Sequence, residues 1–424
     1  MAQPSATTID LIRRLVGFDT VSRNPNRELI EFVRDYLAGL GIDSELVPDA
    51  TGGKANLFAT IGPKDEPGIV LSGHTDVVPV DGQDWTTDPF ATVEKDGKIF
   101  GRGTADMKGF IAVALALAPE MKARDLATPI HFAFSYDEEV GCVGVRGLLA
   151  KLSVMKVKPK ACIVGEPTER KVATGHKGKT AMRCAVHGQA CHSAMAPYGV
   201  NAVEVAAEMI ARLRAIGRRL RDEGPFDPAF DPAFGTVQTG LVAGGTALNI
   251  VPADCCFDFE VRTLPGQKAA AIVAEVKDFA ERTLLPEMRA VAAASRIAFE
   301  ELSGFPGLDT PDHAEITELA KSLSGSNLTQ KVSFGTEAGL YHEAGIPAVI
   351  CGPGNISQAH KANEYVALDQ IARCVTVSSP AARTLSQTSV LGTSQRRPAS
   401  SPLPRTSTKM PGCFATRPLS LPWK

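Results

Sequence analysis

Histidine and carboxylate residues stand where short apolar runs of this 424-residue chain end. The run 69–72 is followed by His74, and the run 130–135 is followed by Glu138 and Glu139. Two histidines and four carboxylates lie at the end of a predicted strand or the start of a predicted helix: His74, Asp106, Glu138, Glu139, Glu166 and His360. Imidazole and carboxylate ligands without thiolate suit Zn²⁺, Co²⁺ or Mn²⁺, and a shared carboxylate can bridge two ions. These residue types therefore predict a hydrolytic metal site.

Each of these residues taken alone has a simpler interpretation. A histidine after a strand, such as His74, is commonly a hydrogen-bonded turn residue. The Glu138-Glu139 pair is typical of a solvated helix start, and Asp106 is typical of an N-cap. Together, however, the residues follow strands of one predicted sheet, and strand ends form the ligand crevice of open α/β sheets. Their joint placement therefore favours a metal site over a set of unrelated turns.

The sequence does not contain the other common catalytic motifs. Gly101-Arg102-Gly103 is followed by Asp106 where a dinucleotide-binding loop needs its third glycine, and no GK[ST] ending of a phosphate loop follows it. No GxSxG nucleophile elbow and no HExxH sequence occurs. Cys191 and His192 are neighbours, so their side chains point in opposite directions in an extended chain. Nucleotide binding and covalent nucleophilic catalysis are therefore not predicted.

The apolar periodicity predicts an α/β sheet that positions the metal site. Residues 9–40 have the spacing of two amphipathic helices around a turn at 24–26. The predicted strands are 56–61, 69–72, 130–135 and 161–165, with a helix at 108–124 between the second and the third. This alternation is typical of a buried sheet with helices on both faces.

A second pattern of predicted strands and helices begins near residue 175 and interrupts the α/β pattern described above. Its elements follow the order β-α-β-β-α-β at 179–187, 200–220, 237–242, 255–262, 267–283 and 294–300. That order fits a compact ferredoxin-like α+β insertion. The first pattern then resumes. We therefore expect a mixed-sheet α/β catalytic domain in two parts, residues 1–177 and 293–377, interrupted by a smaller domain at 178–292.

The composition restricts the partners and the compartment. The chain has 45 Lys and Arg against 47 Asp and Glu, so it has no overall basic field to bind nucleic acid or an anionic membrane. The longest apolar run, 110–119, is about half the ~20 residues that a membrane crossing needs. No CxxC pair and no leader pattern occurs, which predicts a cytoplasmic location. Residues 378–424 are rich in Ser, Thr and Pro and have no acidic residue, so we expect them to be disordered or to result from a shifted reading frame.

The motifs together resemble the M20 family of metallopeptidases over residues 9–377. The segment 73–79 is similar to the family's first metal motif, in which Asp76 would orient the imidazole of His74. The resemblance implies two divalent ions, with Zn²⁺ expected and Co²⁺ or Mn²⁺ as substitutes. The ligand sets that it implies are His74, Asp106 and Glu166 for one ion, and Asp106, Glu139 and His360 for the other. It also implies that Glu138 is the general base for attack of a metal-bridging hydroxide on an amide.

The resemblance extends to the substrate. Segments 334–338 and 352–360, the second followed by Glu364-Tyr365, are similar to the branch of the family that releases acetate and L-ornithine from N2-acetyl-L-ornithine in arginine biosynthesis. Desuccinylases of the family resemble this branch in the other motifs but typically carry a Ser/Gly-rich segment in place of residues 336–338. Charge complementarity alone suggests that Glu337 faces the δ-ammonium group of an ornithine moiety.

Three residues of the insertion match further functional positions of the family. Arg262 resembles a bidentate clamp on the substrate α-carboxylate, and Asn249 resembles a companion contact. His192 resembles a histidine that reaches the active site of the partner subunit, which implies a homodimer formed through the insertion. The alternative for His192 is an ordinary histidine at a strand end.

Two kinds of alternative remain open at this point. Other deacylases of the family, such as succinyl-diaminopimelate desuccinylase, aminoacylase or dipeptidase, share the chemistry and differ in the N-acyl amino acid that they accept. A relative that binds metal but has no activity is a different class of protein. Glu138 speaks against that class, because a structural metal site needs no unligated base beside it.

Overall fold

A computed structural model of the chain describes residues 3–374, so the predicted tail at 378–424 lies outside the described residues. The strands in chain order are β1 (Ser44–Pro48), β2 (Ala55–Ile61), β3 (Ile69–His74), β4 (Val93–Lys95), β5 (Lys98–Phe100), β6 (Ile130–Ser135), β7 (Ala161–Pro167), β8 (Val172–His176), β9 (Gly178–His187), β10 (Thr236–Gly244), β11 (Asp254–Thr263), β12 (Arg296–Phe305), β13 (Leu308–Asp309), β14 (Thr329–Val332), β15 (Ala348–Gly352) and β16 (Tyr365–Ala367). The α-helices are α1 (Ala6–Val16), α2 (Arg27–Gly39), α3 (Lys108–Lys122), α4 (Val145–Ser153), α5 (Ala202–Glu223), α6 (Ala269–Phe279), α7 (Leu285–Val291), α8 (Glu315–Ser324) and α9 (Ala338–Glu343).

The largest sheet is mixed and brings the ends of four strands to one edge. Its strand order is β1-β2-β6-β3-β7-β15-β8-β13, and β14 pairs with β8. β3 runs parallel to both β6 and β7, and β15 runs parallel to β7. β1 and β2 are antiparallel to their neighbours. Because the four parallel strands point the same way, the loops that follow them meet along one edge of the sheet.

Helices cover both faces of this sheet. Successive residues of β3, Ile69 and Val70, belong to different hydrophobic cores, as expected for side chains that alternate across a strand. One core includes side chains of α1, α2, α3 and α8, and the other includes side chains of α4 and α9. β6 and β7 are buried along their whole length, which is typical of strands covered on both faces.

A second, smaller sheet interrupts the first pattern. Its four antiparallel strands have the order β10-β11-β9-β12, and in the chain they follow β9-α5-β10-β11-α6-β12. α5, α6 and α7 pack on one face around Met209, Phe257 and Val276. The predicted fold class, a mixed-sheet α/β domain interrupted by a ferredoxin-like α+β unit, is confirmed. β12 extends the smaller sheet to Phe305, past the predicted end of the insertion at residue 292.

Two features differ from the sequence prediction. The predicted helix at 267–283 ends as α6 at Phe279, passes through a π-turn at Ala280–Leu284 and continues as α7. A proline in the first turn of α7 cannot donate a helical hydrogen bond, which accounts for the altered turn before it. A third sheet, β16-β5-β4, was not predicted because its strands are only three residues long.

Within residues 3–374, no helix has both the length and the apolar character that a membrane crossing needs.

Candidate metal centre

The strand order of the large sheet brings the predicted metal-site residues together. His74 is the last residue of β3, and Glu166 lies near the end of β7. The acidic pair 138–139 lies in the turn after β6. Asp106 precedes α3, and His360 lies in the loop after β15. The site thus combines residues on strands with residues on loops.

His74 is buried, and its two ring nitrogens have different partners. Nδ1 lies 2.9 Å from the backbone carbonyl oxygen of Asp76. A carbonyl oxygen can only accept, so in the neutral ring Nδ1 carries the proton and Nε2 keeps its lone pair. Nε2 lies 3.0 Å from Oδ1 of Asp106 and 3.6 Å from Oε1 of Glu166. The lone pair is therefore available in the direction of two carboxylates, which is the arrangement of a metal-ligating histidine.

Asp106 presents its two carboxylate oxygens to two different histidines. Oδ1 faces His74, whereas Oδ2 lies 3.3 Å from Nε2 of His360. The same His360 nitrogen lies 3.1 Å from Oε2 of Glu139. A carboxylate that faces separate donor groups in this way is positioned to bridge two ions.

Glu138 stands close to the same cluster. The ligand atoms of His74, Asp106 and Glu139 all lie within 4.8 Å of one another, and so do those of His74, Glu138 and Glu166. The second group contains the residue that the sequence predicted as the base. Glu138 is therefore near enough to exchange a proton with a group held by the cluster.

The charges of this cluster fit divalent cations. Burial raises the pKa of both Glu138 and Glu166, and neighbouring carboxylates raise it further. Burial opposes ionisation of Asp106 as well, but hydrogen bonds with His360 and His74 outweigh it and lower the pKa of Asp106. The contacts with Asp106 and Glu139 raise the pKa of His360 to about 10. Buried carboxylates crowded in this way need protons or cations to balance their charge, and imidazole and carboxylate donors suit divalent metals.

Asp76, which follows the end of β3, holds the turn that carries Glu138 and Glu139. Its Oδ1 accepts a hydrogen bond from the backbone N–H of Glu138 at 3.0 Å, and its Oδ2 accepts from the backbone N–H of Glu139 at 3.3 Å. Ser22 Oγ donates to Oδ2 at 2.7 Å. The Asp76 carboxylate lies 3.5 Å from Nδ1 of His74, farther than the carbonyl oxygen of the same residue. Asp76 therefore fixes the turn directly and contacts the imidazole mainly through its backbone.

Sequence reasoning missed two residues that hold this turn, Ser22 and Lys54. Nζ of Lys54 donates to both carboxylate oxygens of Asp137 and to the backbone carbonyl of Ser22. Asp137 has a φ of +54°, in the left-handed region that non-glycine residues rarely adopt. No motif marks Lys54, since the contact joins residues that are 83 positions apart.

The predicted functional residues of the insertion lie apart from this cluster within the chain. His192 and Asn249 are exposed neighbours, because the backbone N–H of Ser193 donates to the Asn249 carbonyl at 3.0 Å. Arg262 lies at the end of β11, where its Nε donates to Oε1 of Glu260 at 3.2 Å. Among residues 3–374, no hydrogen bond or ion pair joins these three residues to the predicted metal ligands.

Glu337 lies in the interior, which differs from the substrate-facing position that charge complementarity suggested. Its side chain is 1% exposed, and its oxygens accept hydrogen bonds from the hydroxyl groups of Ser72 and Ser135. Tyr341 OH lies 3.1 Å from the Ser72 hydroxyl and extends this polar group. A substrate ammonium group could contact Glu337 only if the side chains that bury it moved aside.

Comparison with solved structures defines the class of fold. The structure of an M20 family metallo-carboxypeptidase from Sulfolobus solfataricus matches with a TM-score of 0.71 at 17% identity, covering 90% of this chain and 99% of that one. A dinuclear metal-binding peptidase of the M20 family from Bacillus subtilis matches with a TM-score of 0.61 at 17% identity, covering 90% and 98%. The architecture is therefore that of the M20 peptidases.

The sequence comparisons identify the family. Residues 70–383 match Peptidase family M20/M25/M40. The acetylornithine deacetylase of Proteus mirabilis is 33% identical over 368 residues, which cover 85% of this chain and 92% of the relative. Three further acetylornithine deacetylases match at 32–35% identity. The chain belongs to the M20 peptidase family and is a hydrolase that acts on amide bonds, which confirms the prediction from its motifs.

Proposed function

We propose that this hydrolase releases acetate and L-ornithine from N2-acetyl-L-ornithine, a step of arginine biosynthesis, in the cytoplasm. The observation that carries the catalytic part of the proposal is the position of Asp106 between His74 and His360. The similarity to acetylornithine deacetylases over most of the chain supports the substrate.

Two divalent ions, with Zn²⁺ proposed and Co²⁺ or Mn²⁺ as substitutes, would lower the pKa of an attacking water and polarise the amide carbonyl when bound. The proposed ligands are His74, Asp106 and Glu166 for one ion, and Asp106, Glu139 and His360 for the other. The contacts of Asp106 with both histidines support this division. Asp76 orients His74 and fixes the turn that carries Glu139.

Glu138 is proposed as the general base. Its backbone is held by Asp76, and burial raises its pKa, which makes its carboxylate a stronger base than that of an ordinary glutamate. It would take a proton from the attacking water and give it to the amine that leaves. The reaction consumes one water molecule and yields acetate and the free amine.

The insertion is proposed to complete the site. Arg262 would bind the substrate α-carboxylate with Asn249 beside it, and His192 would reach the site of a partner subunit in a homodimer. His192 accepts a hydrogen bond from the backbone N–H of Ala194 through Nδ1, so in the neutral ring its Nε2 carries the proton and is available as a donor. The edge strand β10 and the loop after it support the dimer, because Leu241, Val242 and Leu248 are all exposed there.

The test is an amine-release assay of the Zn²⁺- or Co²⁺-reconstituted full chain. N2-acetyl-L-ornithine is compared with N-succinyl-diaminopimelate and N-acetyl-methionine. Glu138→Ala serves as the blank, and Glu343→Ala, which changes an exposed glutamate of α9, is the matched control. We expect preference for acetylornithine and loss of turnover by about 10²–10⁴-fold in Glu138→Ala alone.

The outcomes separate the parts of the proposal. Preference for another acyl-amino acid would overturn the substrate and keep the metal mechanism. Full activity of Glu138→Ala would overturn its role as the base. A monomer in analytical ultracentrifugation with full activity would contradict the proposed contribution of His192 from a partner subunit.

A further inference from the structure

Two buried charged residues outside the metal ligands connect the loops that carry Asp106 and His360. Nη1 of Arg102 donates to Oε2 of Glu364 at 2.7 Å, and each side chain is only 1% exposed. A buried ion pair is weak evidence for stability, because its attraction must first offset the desolvation of both charges. A buried ion pair is better known for favouring one conformation of the chain over others. The contacts of each partner indicate which arrangement is selected here.

Glu364 uses its second oxygen to hold the backbone beside Asp106. Oε1 accepts hydrogen bonds from the backbone N–H groups of Ala105 at 2.9 Å and of Asp106 at 3.1 Å. Hydrogen bonds to an ionised acceptor are stronger than those between neutral groups. Glu364 therefore fixes the backbone from which the Asp106 carboxylate reaches between the two histidines.

Arg102 holds the loop that carries His360 through backbone carbonyl groups of that loop. Its Nη1 also donates to the Lys361 carbonyl at 3.3 Å, and its Nη2 donates to Oε1 of Gln83 at 2.6 Å. Nε2 of Gln83 in turn donates to the His360 carbonyl at 3.2 Å. The side chain of His360 is 52% exposed and its φ is +62°, so neither packing nor backbone preference holds it in place.

We propose that Arg102 and Glu364 are positioning residues that hold Asp106 and His360 together and thereby set the affinity of the ion position on the His360 side. This inference rests on the proposed two-metal function. The other ion position is built on β3 and β7, which are joined directly by parallel pairing. Loss of the Arg102–Glu364 pair therefore weakens binding more at the His360 side, because the other position shares only Asp106 with it and keeps His74 and Glu166 on paired strands.

The test measures Co²⁺ binding to the full chain by titration calorimetry, with the visible absorption of bound Co²⁺ as a second readout. Glu364→Gln keeps the size of the side chain and removes its charge. We expect the binding step on the His360 side to weaken about 10–100-fold, the range typical for lost partners of metal ligands, and the other step, which shares only Asp106, to weaken less than about tenfold. His360→Ala identifies the affected step. In the double variant, Glu364→Gln should add little to the effect of His360→Ala, since both act on the same position.

Controls separate positioning from a general loss of stability. Glu275→Gln removes an ion-pair partner of Arg212 and Arg219 in the insertion and should leave both binding steps unchanged. Gln83→Ala removes the link to the His360 carbonyl together with the Arg102–Gln83 hydrogen bond but keeps the Arg102–Glu364 pair. It therefore serves if Glu364→Gln does not fold, and it should weaken the same step to a smaller extent. Equal weakening of both steps, no weakening, or full additivity with His360→Ala would overturn the inference. A wild-type chain that binds two ions but hydrolyses no amide would instead count against the proposed function.

Discussion

The buried carboxyl group of Glu337 makes the stability of the metal-free protein depend on pH. Burial raises the pKa of Glu337 to about 7, although hydrogen bonds from Ser135 and Ser72 favour the charged form. For an acid whose pKa is raised by folding, the stabilising contribution is complete below the unfolded pKa and is lost as the pH rises through the folded pKa. The relevant range therefore runs from about 4.5 to about 7. Glu337→Gln resembles the protonated form at every pH and should not show this loss.

The size of the effect follows from the two pKa values. A pKa of about 7 against an ordinary value of 4.5 corresponds to about 3 kcal/mol of lost stability once Glu337 is fully ionised. The loss is about 1 kcal/mol at pH 5.5 and about 3 kcal/mol at pH 8.5. The free energy of unfolding of Glu337→Gln, relative to that of the wild type, should therefore rise by about 2 kcal/mol between these two pH values.

The assay is urea unfolding of the chelator-treated wild type and variant, followed by circular dichroism at both pH values. Chelation matters because a divalent ion nearby would itself favour the charged carboxylate. Glu343→Gln changes an exposed glutamate at the end of α9, the helix that begins directly after Glu337, and controls for the chemistry of the substitution. A difference between variant and wild type that does not change with pH would refute the reasoning. Unchanged turnover of N2-acetyl-L-ornithine by Glu337→Gln would separately contradict the predicted contact with the substrate ammonium group.

Three further substitutions test other parts of the structure. Asp76→Asn is expected to weaken metal binding about 10–100-fold in equilibrium dialysis, because an NH2 group replaces one of the two oxygens that accept from the N–H groups of the turn 138–139. Wild-type affinity would contradict this. Gly352→Ala would place a Cβ 1.9 Å from the carbonyl oxygen of Gly165, so β15 and β7 must separate, and we expect a loss of about 1–3 kcal/mol in thermal unfolding. Asn201→Ala removes the N-cap of α5 and should cost about 0.5–2 kcal/mol without changing metal affinity, and a loss of bound metal would show that the insertion supports the site more directly.

The sequence predicted the parts of the site that lie on strands. The strand 130–135 was predicted with the bounds that β6 has, because a fully buried strand is a continuous apolar run with turn residues at its end. His74 and Glu166 follow from the same pattern on β3 and β7. Parallel pairing then places these residues at one edge whatever the details of the loops.

The contacts that hold the loops could not be predicted in this way. The Arg102–Glu364 pair joins positions 262 residues apart, and a single sequence does not reveal such a contact. The loop 101–109 was predicted to carry Asp106, but no motif in it assigns a role to Arg102. Charge complementarity alone suggested that Glu337 faces a substrate ammonium group, whereas the hydroxyl groups of Ser72 and Ser135 make its burial possible.

The two proposed ion positions differ in how the chain supports them, and this difference has a consequence for function. One position takes ligands from β3 and β7, which the pairing of a buried sheet fixes. The other takes His360 from a loop, where a half-exposed side chain depends on hydrogen bonds to its backbone. Sites built on strands are held more precisely than sites built on loops. The ion on the His360 side should therefore be the one that is lost first when metal is limiting, and Asp106, which serves both positions, would then keep His74 as its remaining partner.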